Sequence, residues 1–300
     1  MVDVTQNKNF DGEAATAARR YFFARFAIYG LLSIFAAVYM LPLLVVVFNS
    51  FRDLPEIAQY GLIAFPRSFS FKAWHEAWST YCINGTCEGM QGNFWNSLKM
   101  AVPATVISSV LGALNGYILS KWKFKGSDFL FTCVLFGVFM PGQIALMPWA
   151  YLLGALGLNN NTWGLVLVHC VQGLSFTTLF CRNFYVNIPD DLIKAARIDG
   201  AGFWRIFYKI ILPLSPPILI VTIIWQFTGI WNEFLFGVVF TSGRAQPITA
   251  ALVALSSGET NVHNYDVMSA GVLIGALPPL LVYFFGGKYF VRGLTAGAIK

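Results

Sequence analysis

The stretch 183–213, NFYVNIPDDLIKAARIDGAGFWRIFYKIILP, is the longest charged and amphipathic segment between two hydrophobic runs of the chain. Its glycines and prolines predict two short helices joined at glycine. Pro189 suits the first position of a helix, where no backbone N–H is needed. Gly200 and Gly202 end the first helix, because glycine adopts the left-handed cap without steric cost. Pro213 ends the second helix.

One face of the first predicted helix has small side chains at its centre. Its members recur at i, i+3, i+4 and i+7: Leu192, Ala195, Ala196 and Asp199. Such a face can dock, because alanines let the cleft of another protein close around the helix backbone. The alternative is an ordinary amphipathic helix that lies on the membrane surface. In either case, basic residues keep the stretch in water or at the headgroups: Arg197, Arg205 and Lys209.

The composition excludes a soluble fold. The chain has 300 residues, of which 57% are hydrophobic and 11% are charged, whereas soluble domains carry about 25% charged residues. This predicts an all-α polytopic membrane protein. The net charge of +6 does not indicate a nucleic-acid partner, because the basic residues sit at the ends of apolar segments rather than in one patch.

Six apolar segments are long enough to cross a hydrocarbon core of about 30 Å. They cover approximately residues 26–48, 97–119, 129–152, 163–180, 214–239 and 267–285. Residues 1–20 are polar and are predicted to form a short, poorly ordered cytoplasmic tail. Residues 21–300 are predicted to form one transmembrane domain.

Lysine and arginine determine the predicted orientation. They are concentrated near the N-terminus, in the hinge 121–125, in the loop 183–213 and near the C-terminus. The membrane side that is richer in these residues is cytoplasmic. Both termini and the loop 183–213 are therefore predicted to lie inside, and the loops 49–95 and 241–266 are predicted to lie outside, in the periplasm.

Two cysteines in the first outside loop, Cys82 and Cys87, flank four residues that favour a turn. A disulfide between them is predicted in an oxidising periplasm, and two free thiols are the alternative. No set of cysteines and histidines has the spacing of metal ligands. The three histidines are isolated and are predicted to be hydrogen-bonding residues: His75, His169 and His263.

Polar side chains inside apolar segments are energetically costly, so they mark candidate functional positions. Five are candidates for a substrate path: Gln143, Gln172, Gln226, Asn232 and Glu233. Gln226 and Glu233 are seven residues apart and are predicted to share one helix face, between the midplane and the outside. Amides near tryptophan rings suit a neutral polyhydroxyl ligand. The alternative is that the amides only join helices to one another.

No nucleotide-binding or catalytic pattern is present. The sequence contains no G-x-x-x-x-G-K-[ST] loop, so this chain is not expected to hydrolyse nucleotides or to act as an enzyme. An ion-coupled secondary carrier of a small polar solute, with Glu233 as the ion site, is the alternative to an ATP-driven transporter.

The stretch 183–213 also carries a longer pattern. Ala195-Ala196, three residues, Gly200, nine residues and Ile210-Ile211-Leu212-Pro213 resemble the "EAA" loop of bacterial ABC importer permeases, where a glutamate precedes the two alanines. Lys194 takes the place of that glutamate. Two further segments are similar to the smaller permease of maltose-type carbohydrate importers, above all the glucose and mannose types: Trp231-Asn232-Glu233-Phe234 and Tyr289–Gly297.

The resemblance implies a type I ABC importer permease fold in the bacterial inner membrane, with a cytoplasmic coupling helix that docks on a separate ATPase. It assigns this contact to six residues: Leu192, Ala195, Ala196, Asp199, Gly200 and Ala201. The implied partners are a second permease subunit, an ATPase dimer that holds ATP and Mg²⁺, a periplasmic sugar-binding protein and membrane lipid. No cofactor in this chain and no nucleic-acid partner are expected.

The last outside loop is polar and contains glycine, so it can change shape. The resemblance implies that this loop enters the cleft of the binding protein through four residues: Ser257, Gly258, Glu259 and Asn261. A passive connector between the fifth and sixth apolar segments is the alternative.

Overall fold

The computed structural model describes the backbone of residues 4–83, 85–257 and 263–295, and the side chains of residues 21–83, 85–256 and 263–287. The α-helices of these residues follow in chain order: α1 Val4–Asn49, α2 Leu54–Tyr60, α3 Lys72–His75, α4 Gln91–Lys121, α5 Ser127–Phe139, α6 Leu146–Ala155, α7 Thr162–Val186, α8 Asp190–Ile198, α9 Phe203–Ile206, α10 Leu212–Leu214, α11 Pro216–Asn232, α12 Leu235–Phe240, α13 Ile248–Ser257 and α14 Tyr265–Thr295. Single π-helical turns extend α3 and α9: Glu76–Thr80 and Phe207–Ile211.

Apolar helices of spanning length dominate the described chain. Four single helices qualify: Tyr21–Asn49 within α1, α4, α7, and Tyr265–Gly287 within α14. Two further pairs of consecutive helices are bent at a break. Each pair adds one span if its two helices are counted together. The first pair includes α5 and α6 and is bent by 99°, and the second runs from α9 to α11 and is bent by 77°. The predicted all-α polytopic fold is confirmed, and these elements overlap the six predicted spans.

The bend in the third span follows from the proline that the sequence places there. The helix is interrupted at Pro141, and a short 3-10 helix, Gly142–Ala145, leads into α6. Pro148 does not cause a second break. It lies in the first turn of α6, where the missing N–H would have no partner within the helix.

The fifth span differs from the predicted segment 214–239 at both ends. The helix does not stop at Pro213 but breaks at Ser215, because Pro216 begins the next helix and cannot continue the old one. At the far end α11 stops at Asn232, since Glu233 is extended with φ −68° and ψ 128°. The last predicted residues of the span therefore belong to a separate helix, α12.

The N-terminal segment also differs from the prediction. A poorly ordered tail over residues 1–20 is wrong for the described part, because α1 runs without interruption from Val4 to Asn49. Residues 13–18, EAATAA, are mostly strong helix formers and prolong the first span beyond its apolar part.

Both outside loops contain helices that the sequence analysis missed. The first loop contains α2 and α3, and the second contains α13. Ile248, Ala251 and Leu255 recur at helical spacing along α13 and are buried in the core. The region 241–266 is thus not only a polar connector, because a ten-residue apolar helix folds back into the bundle.

The centre of the bundle is the pair α4 and α7. Gly112 and Gly116 of α4 lie so close to α7 that an added Cβ would overlap the side chains of Thr177 and Cys181. Helices in a membrane gain contact in this way, because small residues let their backbones approach closely. The close packing of α4 and α7 makes this pair the scaffold on which the other elements are placed.

Two apolar clusters lie at opposite ends of this pair. The outer cluster is centred on Trp231, whose Nε1 donates a hydrogen bond of 2.9 Å to the carbonyl of Gly275. The inner cluster is centred on Tyr117 and Tyr185 and packs beneath α8. The hydroxyls of Tyr185 and Ser215 are 2.8 Å apart, which ties α7 to the bend before α11.

Candidate functional site

A defined cap fixes the end of α8. Gly200 has φ +78°, a left-handed conformation that L side chains rarely adopt. Its N–H donates to the carbonyl of Arg197 at 3.0 Å, and the N–H of Ala201 donates to the carbonyl of Ala196 at 2.9 Å. This pair of bonds is a Schellman motif, in which glycine at this position lets the chain reverse. The glycine that the sequence singled out therefore has a local structural role.

The exposed face of α8 is rotated from the predicted one. Ile193 is buried and Ala196 is half-buried, and both pack on the inner cluster. Leu192, Ala195 and Ile198 instead face away from the bundle. Ile198 is 86% exposed, more than any other large apolar side chain among the described residues.

The six residues assigned to the ATPase contact thus separate into two groups. Those on the surface are Leu192, Ala195, Asp199 and Gly200; those turned partly inward are Ala196 and Ala201. The sequence analysis missed Ile198. Its spacing of i+3 from Ala195 was the available signal.

A lysine from the end of α4 holds the start of α8. The Nζ of Lys121 lies 2.6 Å from Oδ1 of Asp190 and also donates to the carbonyls of Val186 and Ile188. Only 4% of the Lys121 side chain is exposed. Hydrogen bonding and attraction by Lys121 lower the pKa of Asp190 below its usual range. These contacts fix the start of α8 relative to the end of α4.

A cavity of about 220 Å³ between α7 and α11 brings together three of the five substrate-path candidates. Gln172, Gln226 and Glu233 line it. Gln143 and Asn232 are exposed and do not line it. A second cavity of about 380 Å³ lies beside the first and shares Gln172 with it.

Gln226 and Glu233 both have partners within the protein. The Nε2 of Gln226 donates to the carbonyl of His169 at 3.4 Å, and Gly173 leaves the room that this amide occupies. Both carboxylate oxygens of Glu233 accept from the N–H of Phe236 at 3.0 Å, in the first turn of α12. The two residues are not on one continuous helix as predicted, yet both reach the same cavity.

The remaining lining of the first cavity consists of two aromatic rings, a buried histidine, an isoleucine and two glycines. Phe176 and Trp225 stack at 5.5 Å with an angle of 16° between their rings. His169 is 4% exposed, and its Nε2 has no hydrogen-bond partner among the described residues. An amide and aromatic faces are suited to a ligand with hydroxyl and C–H groups. The role of His169 could not be read from the sequence, because the residue has no neighbouring motif.

On the outer side, the structure joins Cys82 and Cys87 in a disulfide. Arg244, in the second outer loop, forms an ion pair of 2.6 Å with Glu88 in the first. Ser257 is the last residue of α13, and its side chain is not described. The other predicted binding-protein contacts lie outside the described residues: Gly258, Glu259 and Asn261. No group of three potential metal ligands occurs in the part of the chain that the structure describes.

A bundle of membrane spans with an internal polar cavity and a short helix held out at one surface is an architecture suited to a membrane permease. More particularly, the chain belongs to the family of binding-protein-dependent transport system inner membrane components, whose profile matches residues 105–296. It is therefore a permease subunit of an ABC transporter, as the EAA-like pattern predicts. This membership favours an ATP-driven transporter over the ion-coupled carrier.

Relatives agree with this assignment. A probable ABC transporter permease of Pyrococcus horikoshii is 45% identical over 187 residues, which are 62% of this chain and 67% of the relative. The diacetylchitobiose uptake system permease of Streptomyces coelicolor is 30% identical over 96% of this chain and 92% of its own.

Two solved structures show the same fold. One is a bacterial ABC transporter involved in the import of the acidic polysaccharide alginate. A chain of it matches with a TM-score of 0.75 at 21% identity, covering 91% of this chain and 98% of that chain. The other is the bacterial alginate ABC transporter in complex with an alginate pentasaccharide-bound periplasmic protein. It matches with a TM-score of 0.63 at 14% identity, covering 93% and 96%.

Proposed function

We propose that this permease passes a sugar, delivered by a periplasmic binding protein, across the bacterial inner membrane. A second permease subunit completes the path, and a separate ATPase dimer with bound ATP and Mg²⁺ supplies the energy. The carbohydrate class is supported by the diacetylchitobiose permease and by the alginate transporter. The observation that carries the ATPase contact is the exposed apolar edge of α8.

The edge of α8 suits a protein partner because it is apolar, narrow and fixed in place. Burying a side chain such as Ile198 in a cleft is worth about 1.5–3 kcal/mol. Ala195, beside it, leaves room for the walls of that cleft. The cap at Gly200 and the anchor at Lys121 hold the helix in position before docking, which lowers the entropy lost on binding.

Ile198→Asn tests this docking face. The variant removes the apolar side chain without adding charge, so the affinity for the ATPase should fall about tenfold or more. Membrane insertion should be unchanged. The measurements are the amount of ATPase that co-purifies with the permease and the sugar uptake of the complete transporter.

Val186→Asn is the matched control. Val186 is also an exposed apolar residue beside the loop, at 49% exposure, but it lies at the end of α7 and not on α8. Its variant should keep both the ATPase and uptake. The docking proposal fails if Ile198→Asn retains the ATPase as well as the control does.

The cavity between α7 and α11 is proposed as part of the sugar path. Gln172 is the best candidate for sugar contact, because it lines both cavities, whereas Gln226 and Glu233 have partners within the protein. Gln172→Ala should raise the sugar concentration needed for half-maximal uptake and leave ATPase assembly intact. Gln143→Ala, an exposed amide outside both cavities, is the control. Equal uptake curves for the two variants would show that Gln172 does not contact the sugar.

The loop after α13 is proposed to reach into the binding protein through Ser257, Gly258, Glu259 and Asn261. The support is the resemblance to maltose-type permeases. Replacing residues 256–262 by a Gly-Ser linker should lower sugar transfer and leave basal ATPase activity unchanged. Unchanged transport at limiting sugar would show that the loop is only a tether.

A further inference from the structure

A groove of about 540 Å³ separates α8 from the hinge that follows α4. Eight residues line it: Ser120, Lys121, Trp122, Lys123, Asp190, Ile193, Lys194 and Arg197. Four of them are cationic and one is anionic. The groove is therefore a concentrated positive site at a place where two membrane spans meet.

Three of the four cations remain available to an outside anion. Lys121 and Asp190 neutralise each other at 2.6 Å. Lys194 has one ion pair, with Asp191 at 3.1 Å, and both side chains are largely exposed, so water screens this pair. Lys123 forms no ion pair with any described residue. The guanidinium of Arg197 lies 4.2 Å from the centre of the Trp122 ring, which holds it at the groove wall.

The groove lies where two membrane spans end on the same side of the bundle. Lys121 is the last residue of α4, and α5 begins at Ser127, so the hinge joins the ends of two membrane spans. Trp122 stands directly at this boundary, which is where tryptophan is enriched in membrane proteins. A basic pocket between transmembrane helices at this depth is suited to an anionic headgroup.

The groove does not lie on the docking face of α8. At about 100° per residue, the side chains that face the groove from α8 and those of the exposed face point on average roughly 100° apart. Arg197 and Lys194 belong to the first set, and Ala195 and Ile198 to the second. The groove and the exposed face are therefore neighbouring but different faces of α8.

We propose that this groove binds the phosphate of an anionic phospholipid headgroup. Lys123, Lys194 and Arg197 face the phosphate, and Trp122 lies against the glycerol region. The bound lipid links the α4 hinge to α8, the helix proposed to receive the ATPase. The site is distinct from the sugar path and from the docking face, so its test does not depend on transport.

The test measures lipid binding to the intact transporter in phosphatidylcholine nanodiscs. Spin-labelled phosphatidylglycerol is added, and the immobilised fraction of the label gives its apparent affinity. Each basic residue near an anionic headgroup contributes about a fivefold gain in affinity. Lys123→Gln should therefore weaken binding about fivefold, and Lys123→Gln with Lys194→Gln about 25-fold. Retention of the partner subunits shows that each variant is assembled.

Lys125→Gln is the matched control, because Lys125 lies on the same hinge and is exposed but does not line the groove. It should leave the affinity nearly unchanged. Equal losses for Lys125→Gln and Lys123→Gln would mean diffuse attraction to the surface and would overturn the proposal. Displacement of the labelled lipid by inorganic phosphate would assign the groove to a free anion. Absence of immobilised label in the intact transporter would also overturn the proposal.

Discussion

The α8 region and the outer end of the fifth span are built in opposite ways. The shape of α8 depends mainly on residues of the helix and its cap, above all Gly200 and the inward side chain of Ile193. One lysine from α4 anchors it. The outer end of the fifth span depends on distant partners: Trp231 donates to Gly275, 44 residues away, and α13 folds back into the core. The first region was largely readable from the sequence, and the second was not.

Trp231→Ala should give the largest effect and should separate the two regions. Trp231 is 1% exposed at the centre of the outer cluster, so its removal leaves a cavity and an unpaired carbonyl at Gly275. A loss of about 3–5 kcal/mol in the free energy of unfolding is expected. Hydrogen exchange should increase in α13 and α14 and stay unchanged in α8.

Trp204→Ala is the control for this change, because Trp204 is 55% exposed. It should lower the melting temperature of the purified transporter much less. If α8 loses protection from hydrogen exchange together with α13 in Trp231→Ala, the two regions are not independent and the contrast between them is wrong.

Gly200→Pro should have the complementary effect: it should disturb α8 and leave the outer end of the fifth span unchanged. Proline cannot adopt φ +78°, and it removes the N–H that donates to the carbonyl of Arg197. The local cost is about 3 kcal/mol or more. Sugar uptake should be lost because the docking face is displaced, while insertion into the membrane and protection of α13 are retained.

Gly202→Ala is the matched control, since Gly202 has φ −77° and an added Cβ there meets nothing within 4 Å. Uptake should be close to that of the unmodified transporter. Normal uptake in Gly200→Pro would show that the cap is dispensable for coupling.

The same contrast explains which inferences from sequence succeeded. The short helix that begins next to Pro189 and its glycine cap follow from local rules, and the structure has both. The direction of the Ala196 side chain was wrong, because the sequence does not say which side of a short helix meets the bundle. Three dispersed residues of the cavity share no motif, and only the packing of α7 against α11 brings Gln172, Gln226 and Glu233 together.

Helix boundaries failed where tertiary contacts override the hydropathy pattern. The apolar run to residue 239 predicts one continuous span, but the chain turns at Glu233, whose carboxylate accepts from α12 and whose carbonyl accepts from Thr249 at 2.8 Å. The polar sequence after α13 led to the prediction of one polar loop over residues 241–266, although Ile248, Ala251 and Leu255 have the spacing of an apolar helix face. Hydropathy averages do not register such contacts, because they depend on single polar groups such as the Glu233 carboxylate and the Thr249 hydroxyl.

The smallest expected effect concerns a third region, the turn after α1, which should resemble α8 in being locally determined. Glu56 accepts from the N–H of Arg67 at 3.0 Å, from the hydroxyl of Ser68 at 2.8 Å and from Nε of Arg52 at 2.9 Å. The hydrogen bond from the Arg67 backbone is the main cause that lowers the pKa of Glu56 to about 2, although partial burial opposes it.

Because the pKa of Glu56 is lower in the folded protein, its carboxylate stabilises the turn most fully above the unfolded value of about 4.5. This contribution should decline as the pH falls from about 4.5 towards 2. Hydrogen exchange of residues 52–68, corrected for the intrinsic rate at each pH, should therefore increase over that interval. Glu56→Gln should show weaker protection already at neutral pH and little further change on acidification, since no carboxylate remains to titrate. If hydrogen exchange of residues 52–68 depends on pH equally in the two proteins, another group causes the acid sensitivity. This turn would then not be determined by the local contacts of Glu56.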